Sequence, residues 1–455
     1  MIALPPSFLH QLEGINGFDK QAFIDAHQQH AVTSIRLHPV KKSTAFIGDE
    51  HVPWCKEGRY LKSRPVFTLD PLYHAGAYYV QEASSMFLQH VLEQILPTKE
   101  NLRVLDLCAA PGGKSTLIAS LLNKSSLLIS NEVIRSRASV LEENMTRWGY
   151  MNTWVTSNDP AAFSRLEGYF DIVVVDAPCS GSGLFRKDKK ALEEWSEGNV
   201  QLCSQRQQRI LADVWPALKE DGMLVYATCS YSPQEDEHIM DWLAETFDVE
   251  SISLHVPEKW GIVRTQSNIN TINGYRFFPD KVKGEGFYIA AIRKKEVTSQ
   301  VKYPKLKPAK MNMQKAMGDL FKTEGVCFVD AGDDQYAVIY KQHEADMYLL
   351  KDTLYIRKAG VHAGMPTTKD WLYAHDIALS IDAGDELPSV DVDKEQALRF
   401  LKKEEMRVPD MKMGWNIVKY NGLGIGWIKN IGNRINNYLP KQWRIRMEIT
   451  DADWK

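Results

Sequence analysis

Two cysteines, a lysine and an aspartate stand where they can do chemistry. Cys179 lies in Asp176-Ala177-Pro178-Cys179-Ser180-Gly181-Ser182-Gly183, and Cys229 lies in Ala227-Thr228-Cys229-Ser230-Tyr231. Each segment follows a run that reads as a buried strand, residues 171–176 and 223–227. A lone cysteine is most often a small buried apolar residue, and that reading suits Cys203 and Cys327. It suits Cys179 and Cys229 poorly, because both sit in glycine- or serine-flanked loops. In open α/β sheets ligands bind beyond the carboxyl ends of the strands. Neighbouring strands lie about 4.8 Å apart, so two strand-end thiols can face one pocket.

The segment Val104-Leu105-Asp106-Leu107-Cys108-Ala109-Ala110-Pro111-Gly112-Gly113-Lys114-Ser115 reads as a short buried strand, a tight glycine turn and the start of a helix over residues 115–122. Gly112 and Gly113 leave no Cβ in the way of a ligand, and a helix N-terminus offers free N–H groups. Two nucleotide readings compete here. Lys114-Ser115 after Gly113 matches the end of a phosphate loop, with Asp176 as its magnesium-holding acid, and that pattern describes an ATPase. The first glycine of such a loop, however, falls on Cys108, which removes its backbone cradle. A Rossmann-like turn fits better. Residues 127–130 form a short apolar run, and Glu132 follows it where an acid can bond both ribose hydroxyls of a nucleoside.

A thiol beside a nucleoside cofactor narrows the chemistry. If the cofactor is S-adenosylmethionine, an oxygen or amine acceptor needs little more than positioning or a base. A carbon such as C5 of a pyrimidine is too weak a nucleophile. A thiolate that adds to C6 converts the ring to an enamine, and C5 can then take the methyl. Such a thiol needs a nearby cation, for which Lys114 is placed, and a carboxyl group near N3, for which Asp176 is placed.

These residues need a frame. A chain of 455 residues holds two or three domains. A net charge of -3 gives no global basic field, so RNA contacts must come from local patches. The six cysteines show no C-x-x-C spacing and no close histidine pairing, which argues against a zinc site or a disulfide framework and for reduced thiols in the cytoplasm. The opening Met1-Ile2-Ala3-Leu4-Pro5-Pro6 has no basic n-region, and no apolar run approaches about 18 residues, so neither export nor membrane insertion is expected.

Residues 1–100 read as an accessory α+β domain, with helices over 7–14 and 19–30, a strand over 33–37, and a strand-like start at Gly76 leading into a helix that ends at Leu96. Arg36, Lys41, Lys42, Arg59, Lys62 and Arg64 are candidates for phosphate contacts, against the alternative of a solvated charged face. Residues 101–295 alternate strand and helix, which predicts a mostly parallel sheet with residues 171–176 at its centre. Helices are expected over 136–148, over 201–218 with a break at Pro216, and over 233–247. Ser232 is the expected cap of the last, with Glu235, Asp236 and Glu237 complementing its dipole. Residues 286–292 read as a closing strand. Residues 296–310 read as a basic linker, and the basic run already begins at Arg293-Lys294-Lys295. Residues 311–455 form a C-terminal α+β region, with a strand over 336–340. Its tail interleaves Lys429, Arg434, Lys441, Arg444 and Arg446 with Trp427, Tyr438 and Trp443, a pattern suited to phosphates and bases of RNA or to a structural basic face.

Leu107-Cys108-Ala109-Ala110-Pro111-Gly112-Gly113-Lys114, the Asp176 to Gly183 segment and Tyr226-Ala227-Thr228-Cys229-Ser230, in that order, resemble the Nol/Nop/Sun family of RNA 5-methylcytosine methyltransferases. Leu4-Pro5-Pro6-Ser7-Phe8-Leu9, the Gly76 to Met86 stretch and the tail from Gly422 to Pro440 resemble the F branch of its bacterial small-subunit rRNA enzymes, with a PUA-like end. The resemblance implies a Rossmann-like class I fold and S-adenosylmethionine as cofactor. It implies that Cys108 to Lys114, Glu132, Asp159 and Asp176 hold that cofactor and that no metal takes part. Cys229 is the implied nucleophile, Cys179 the residue that assists release, and a cytosine in the decoding region of 16S rRNA the implied target of a monomeric enzyme. DNA cytosine methyltransferases use a Pro-Cys cysteine as nucleophile, which keeps Cys179 as the rival. Where the family carries asparagine after Arg-x, this chain has His38. Rival functions are tRNA methylation, an ATPase, and a non-catalytic RNA-binding assembly protein.

Overall fold

The computed structural model describes residues 2–96, 100–304, 320–322, 324–368, 370–406, 408–409 and 411–449. Two helices open the chain, α1 (Pro6–Leu12) and α2 (Lys20–His27), the second capped by the Asp19 side chain, which accepts from the Ala22 N–H. Strands β1 (Thr33–Leu37), β2 (Glu50–His51) and β3 (Gly58–Leu61), helix α3 (Pro71–His74) and strand β4 (Tyr78–Val80) follow, and the strands form an antiparallel sheet in the order β2-β3-β1-β4. Helix α4 (Leu88–Ile95) is preceded by a 3-10 turn at Ser84–Phe87.

Three of the six candidates for phosphate contacts are structural. Arg36 is buried, donating to Gln81 Oε1 at 2.9 Å and Thr116 Oγ1 at 2.6 Å, with its guanidinium 4.6 Å from the Trp148 ring. Lys41 is buried against the carbonyls of Ala75 and Arg147, and Arg59 donates to its own loop at Lys56 and Gly58. Lys42, Lys62 and Arg64 are exposed and remain available to phosphates. His38 is also a packing residue. Its Nδ1 accepts from the Val40 and Lys41 N–H groups, and its Nε2 lies 3.0 Å from the Trp148 carbonyl.

The apolar runs of the next 190 or so residues lack polar alternation, so both of their faces need cover. They form β5 (Arg103–Asp106), α5 (Gly113–Leu121), β6 (Leu127–Asn131), α6 (Arg135–Trp148), β7 (Thr153–Thr156), β8 (Phe170–Asp176), α7 (Lys189–Glu194), α8 (Glu197–Val214), β9 (Leu218–Thr228), α9 (Glu237–Thr246), β10 (Val249–Ser251), β11 (Val263–Gln266), β12 (Asn273–Phe277) and β13 (Phe287–Lys294). The sheet runs β11-β12-β13-β9-β8-β5-β6-β7, with β9 through β7 parallel and β13 antiparallel beside β9. The order reverses between β5 and β8, so a crevice opens at their carboxyl ends. Helix α8 begins four residues before the expected start because Ser196 caps it, accepting from the Asn199 N–H, and it ends before Pro216.

The expectation for α9 needs correction. Ser232 makes no side-chain cap, and the α-helix begins only at Glu237. The acids before it are not complementing a dipole at the surface. Glu235 and Asp236 are fully buried, Asp236 accepting from Thr228 Oγ1 at 2.6 Å and pairing with Arg276 at 3.0 Å. Buried acids persist only where partners hold them, and the turn before the α-helix, Pro233–Glu235, is 3-10.

The basic run that leads into the expected linker begins in the sheet. Arg293 and Lys294 belong to β13, and Lys294 is buried, donating to the carbonyls of Trp215 and Leu218. The Val301 N–H bonds to the Glu167 carbonyl, and Lys305, Lys307 and Lys310 lie outside the described residues. Beyond, β14 (Val326–Gly332) and β15 (Gln335–Tyr340) precede α10 (Glu344–Thr353), and β16 (Ile356–Lys358) then adds antiparallel to β7 at the edge of the large sheet. Arg103 grips Asp346 through two bonds of 2.9 and 2.8 Å, and Tyr169 and Tyr303 donate to the same carboxylate. The strands β17 (Val361–Pro366) and β18 (Trp371–Tyr373) complete a sheet with β14 and β15, and α11 (His375–Leu379) follows. Four further strands, β19 (Ser389–Asp391), β20 (Gly414–Tyr420), β21 (Leu423–Asn430) and β22 (Ile435–Asn437), form the last sheet, with α12 (Lys394–Lys402) between the first two.

The tail's aromatics are not free platforms for bases. Trp427 is buried, stacked on Tyr373 with centroids 5.1 Å apart and donating to the Ala374 carbonyl. Tyr438 packs on Trp415, and Trp443 packs on His375 beneath the Arg147 guanidinium. Lys429 is paired with Asp370, whereas Arg434, Lys441, Arg444 and Arg446 are exposed. Of the three aromatics Trp427 is core, while Tyr438 and Trp443 are half-buried and packed on protein rings.

Candidate active site

The turn after β5 is the floor. Gly112 sits at φ 113°, a conformation that side chains resist, and an added Cβ would approach Leu141 at 3.3 Å. Ser115 is buried and donates to Asp106 Oδ2 at 2.6 Å, so its hydroxyl is not presented to a magnesium ion. Lys114 turns to Asp176 at 2.7 Å rather than to a phosphate loop. Burial alone would lower the Lys114 pKa, but the Asp176 carboxylate outweighs it and raises it, so the ammonium stays charged. These two side chains dispose of the ATPase reading.

Asn131, which sequence reasoning missed, latches three strand ends. Its Nδ2 donates to the carbonyls of Leu107 and Asn158, and its Oδ1 accepts from Thr156 Oγ1 and the Asn158 N–H. An amide, with donors and an acceptor on one group, suits this junction. Next to it Glu132 is buried, with Oε1 accepting from the Ile134 N–H.

A cavity of 600 Å³ opens at the crevice, walled by Cys108, Ala110, Glu132, Val133, Ile134, Pro160, Asp176, Cys179 and Cys229 among others. A second cavity of 360 Å³ lies on the other side of Asp176. It is walled by Tyr79, Gln81, Glu82, Ser85, Ala109, Pro111, Gly113, Lys114, Glu285, Gly286 and Phe287. Cys108, Ala110, Asp176, Leu184 and Cys229 line both, so they form a shared mouth. Not every predicted cofactor residue lines the first cavity. Ala109, Pro111, Gly113 and Lys114 face the second, and Asp159 caps the turn at Pro160–Arg165 and meets Arg209 at 3.5 Å while its neighbour Pro160 walls the first. A further cavity, of 860 Å³, lies between α1 and β11 and has neither cysteine nor lysine in its wall.

At the shared mouth the sulfurs of Cys179 and Cys229 are 3.2 Å apart. The hydrogen bond to Cys229 and then burial push the Cys179 thiol well above its ordinary pKa, so this residue holds its proton. Burial pushes the Cys108 thiol up as well, and it is no nucleophile. The N-terminal segment closes the second cavity through Gln81, Glu82 and Ser85. Gln81 is held by Arg36, and Glu82 accepts from the N–H groups of Ser85 and Glu285. No spacing in the sequence ties those residues to Cys229, which lies about 150 positions away.

Comparison with known proteins bears on the family. Residues 4–83 match the N-terminal domain of 16S rRNA methyltransferase RsmF, residues 93–293 match 16S rRNA methyltransferase RsmB/F, and residues 387–445 match the methyltransferase RsmF PUA domain. A ribosomal RNA small subunit methyltransferase F from Vibrio atlanticus is 31% identical over 97% of this chain and 98% of its own. One from Psychromonas ingrahamii is 29% identical over 96% of this chain and 97% of its own. A crystal structure of a methyltransferase homolog protein from Pyrococcus horikoshii shares 29% identity, with a TM-score of 0.52 over 64% of this chain and 100% of its own. The NSun6 structure from the same organism, solved with SFG, has the same fold at 19% identity, with a TM-score of 0.54 over 65% of this chain and 99% of its own. With its N-terminal domain, its catalytic sheet and its PUA domain each matched in order, the chain belongs to the RsmB/F family of 16S rRNA methyltransferases.

Proposed function

We propose that this protein methylates C5 of a cytosine in the decoding region of 16S rRNA, using S-adenosylmethionine and a transient bond from Cys229 to C6 of the base. The observation that carries this reading is the pair of thiols 3.2 Å apart at the mouth shared by two cavities. The 600 Å³ cavity fits the cofactor. Glu132 is a buried acid for the ribose hydroxyls, and Val133 and Ile134, 52% and 49% exposed, offer bare apolar side chains at its wall for a ring. Bound there, S-adenosylmethionine supplies an electrophilic methyl group.

The chain's own residues do the rest. The target base leaves its stack and enters the 360 Å³ cavity, where Tyr79 and Phe287 provide aromatic walls. Cys229 forms the bond to C6, on the wall that also carries Lys114. Asp176, held by Lys114, faces the base and serves N3. Cys179 keeps its proton and offers it to the Cys229 sulfur when the product departs. The six free cysteines are consistent with a reducing cytoplasm. Bisulfite sequencing of 16S rRNA from cells with and without the gene tests the reading. A decoding-region cytosine should lose its methyl mark in the deletion and regain it on complementation, and an unchanged map refutes it.

A further inference from the structure

One carboxylate joins the two cysteine loops. Glu235 is fully buried. Its Oε1 accepts from the Ser180 N–H at 2.8 Å and from Gln207 Nε2 at 3.2 Å, and its Oε2 accepts from the hydroxyls of Ser180 at 2.5 Å and Ser230 at 2.6 Å. Ser180 and Ser230 are the residues directly after Cys179 and Cys229. A buried carboxylate is costly to desolvate, so its presence needs a reason. Both hydroxyls turn to it and not to each other, at 2.5 and 2.6 Å against 3.4 Å between them, so one group ties the two loops. The loops also meet where the Gly183 N–H bonds to the Cys229 carbonyl at 2.9 Å, so they pack as one unit.

We propose that Glu235 is the positioning residue of the cysteine pair: by gripping the residue after each cysteine, it sets the separation at which the Cys179 thiol serves the Cys229 sulfur during product release. The inference rests on the function proposed above. At release the C5 proton passes to a solvent base, and the electron pair of that C–H bond forms the C5–C6 double bond. The C6–S bond breaks, and its pair returns to the Cys229 sulfur as a thiolate. A thiol held 3.2 Å away stabilises that thiolate by a hydrogen bond. A thiol that has swung away does not. The Glu235 charge also adds to the hydrogen bond and burial that keep Cys179 protonated.

The test uses the full chain with small-subunit rRNA under single turnover, following methyl transfer and the covalent protein–RNA adduct on a denaturing gel. Glu235→Ala should slow adduct decay by ~30-fold, the loss expected of hydrogen bonds to a charged group, with S-adenosylmethionine affinity unchanged. Glu235→Gln should restore decay to within ~5-fold, because its oxygen can accept from the Ser180 N–H and its amide can donate to both hydroxyls. Release by Glu235→Ala at the wild-type rate, or a Gln variant as slow as Ala, overturns the proposal. Should Glu235→Ala fail to bind S-adenosylmethionine, Ser180→Ala and Ser230→Ala decide. Each removes one tie and should slow decay by ~5-fold, and unchanged decay in both overturns it. A wild-type protein that methylates no cytosine C5 refutes the function and the release role with it, whereas an active wild type whose Glu235→Ala variant releases at the same rate refutes the clamp alone, so the two failures are distinguishable.

Discussion

Replacing Cys179 by alanine removes the sulfur 3.2 Å from Cys229 and little else, since the Ser180 N–H and hydroxyl anchor the loop just after it. The interaction lost is a hydrogen bond from a thiol to a departing thiolate. Hydrogen bonds to charged groups contribute about 1.5–3 kcal/mol, so at 1.36 kcal/mol per decade release should slow by ~10- to 150-fold. Bond formation at C6 does not use this donor and should proceed. The variant should therefore accumulate a covalent protein–RNA adduct that outlasts methyl transfer. The assay is a quenched time course with labelled rRNA and S-adenosylmethionine, resolved on a denaturing gel. The adduct should vanish when Cys229→Ser is added to the same chain. A variant that turns over at the wild-type rate, or a stable adduct in the Cys229 variant instead, refutes the assignment and exchanges the two roles.

Cys229→Ser should lower methyl transfer by at least ~1000-fold, because a hydroxyl is a far poorer nucleophile at neutral pH. Calorimetry should find its S-adenosylmethionine affinity within a few-fold of wild type. Burial pushes the Asp346 carboxyl up, but hydrogen bonds from His343, Arg103 and Tyr169 and the Arg103 charge hold it at about 2. The folded chain thus releases this proton more readily than the unfolded one. The stabilisation is complete above about pH 4 and is lost as pH falls toward 2. The stability gap between wild type and Asp346→Asn should narrow by about 1 kcal/mol between pH 6 and pH 3 in denaturant titrations, and a constant gap contradicts the linkage. Trp427→Ala should destabilise the C-terminal sheet by about 3–5 kcal/mol, because the indole is core. A variant with unchanged unfolding and weakened RNA binding would restore the surface reading.

Much of the catalytic region was legible in the chain itself. Apolar runs without alternation announce strands covered on both faces, so the parallel sheet and the central place of Phe170–Asp176 followed from residue types alone. The glycine turn at Gly112 and the strand-end positions of Glu132, Cys179 and Cys229 followed for the same local reason. Charge and burial were not legible. Arg36, Lys41, Lys294 and Trp427 look like surface residues in sequence, yet each is buried among groups far away in the chain. Glu235, Asp236 and Glu237 look like a helix start, and only the fold brings Ser180, Thr228 and Arg276 to them. The second cavity needs Tyr79 to Ser85 beside Glu285 to Phe287, and the strand that widens the catalytic sheet comes from Ile356–Lys358. Local pattern settles what a segment wants to be, because periodicity and backbone preference act over a few residues. Which polar groups are drawn inside depends on partners that only long-range contacts supply.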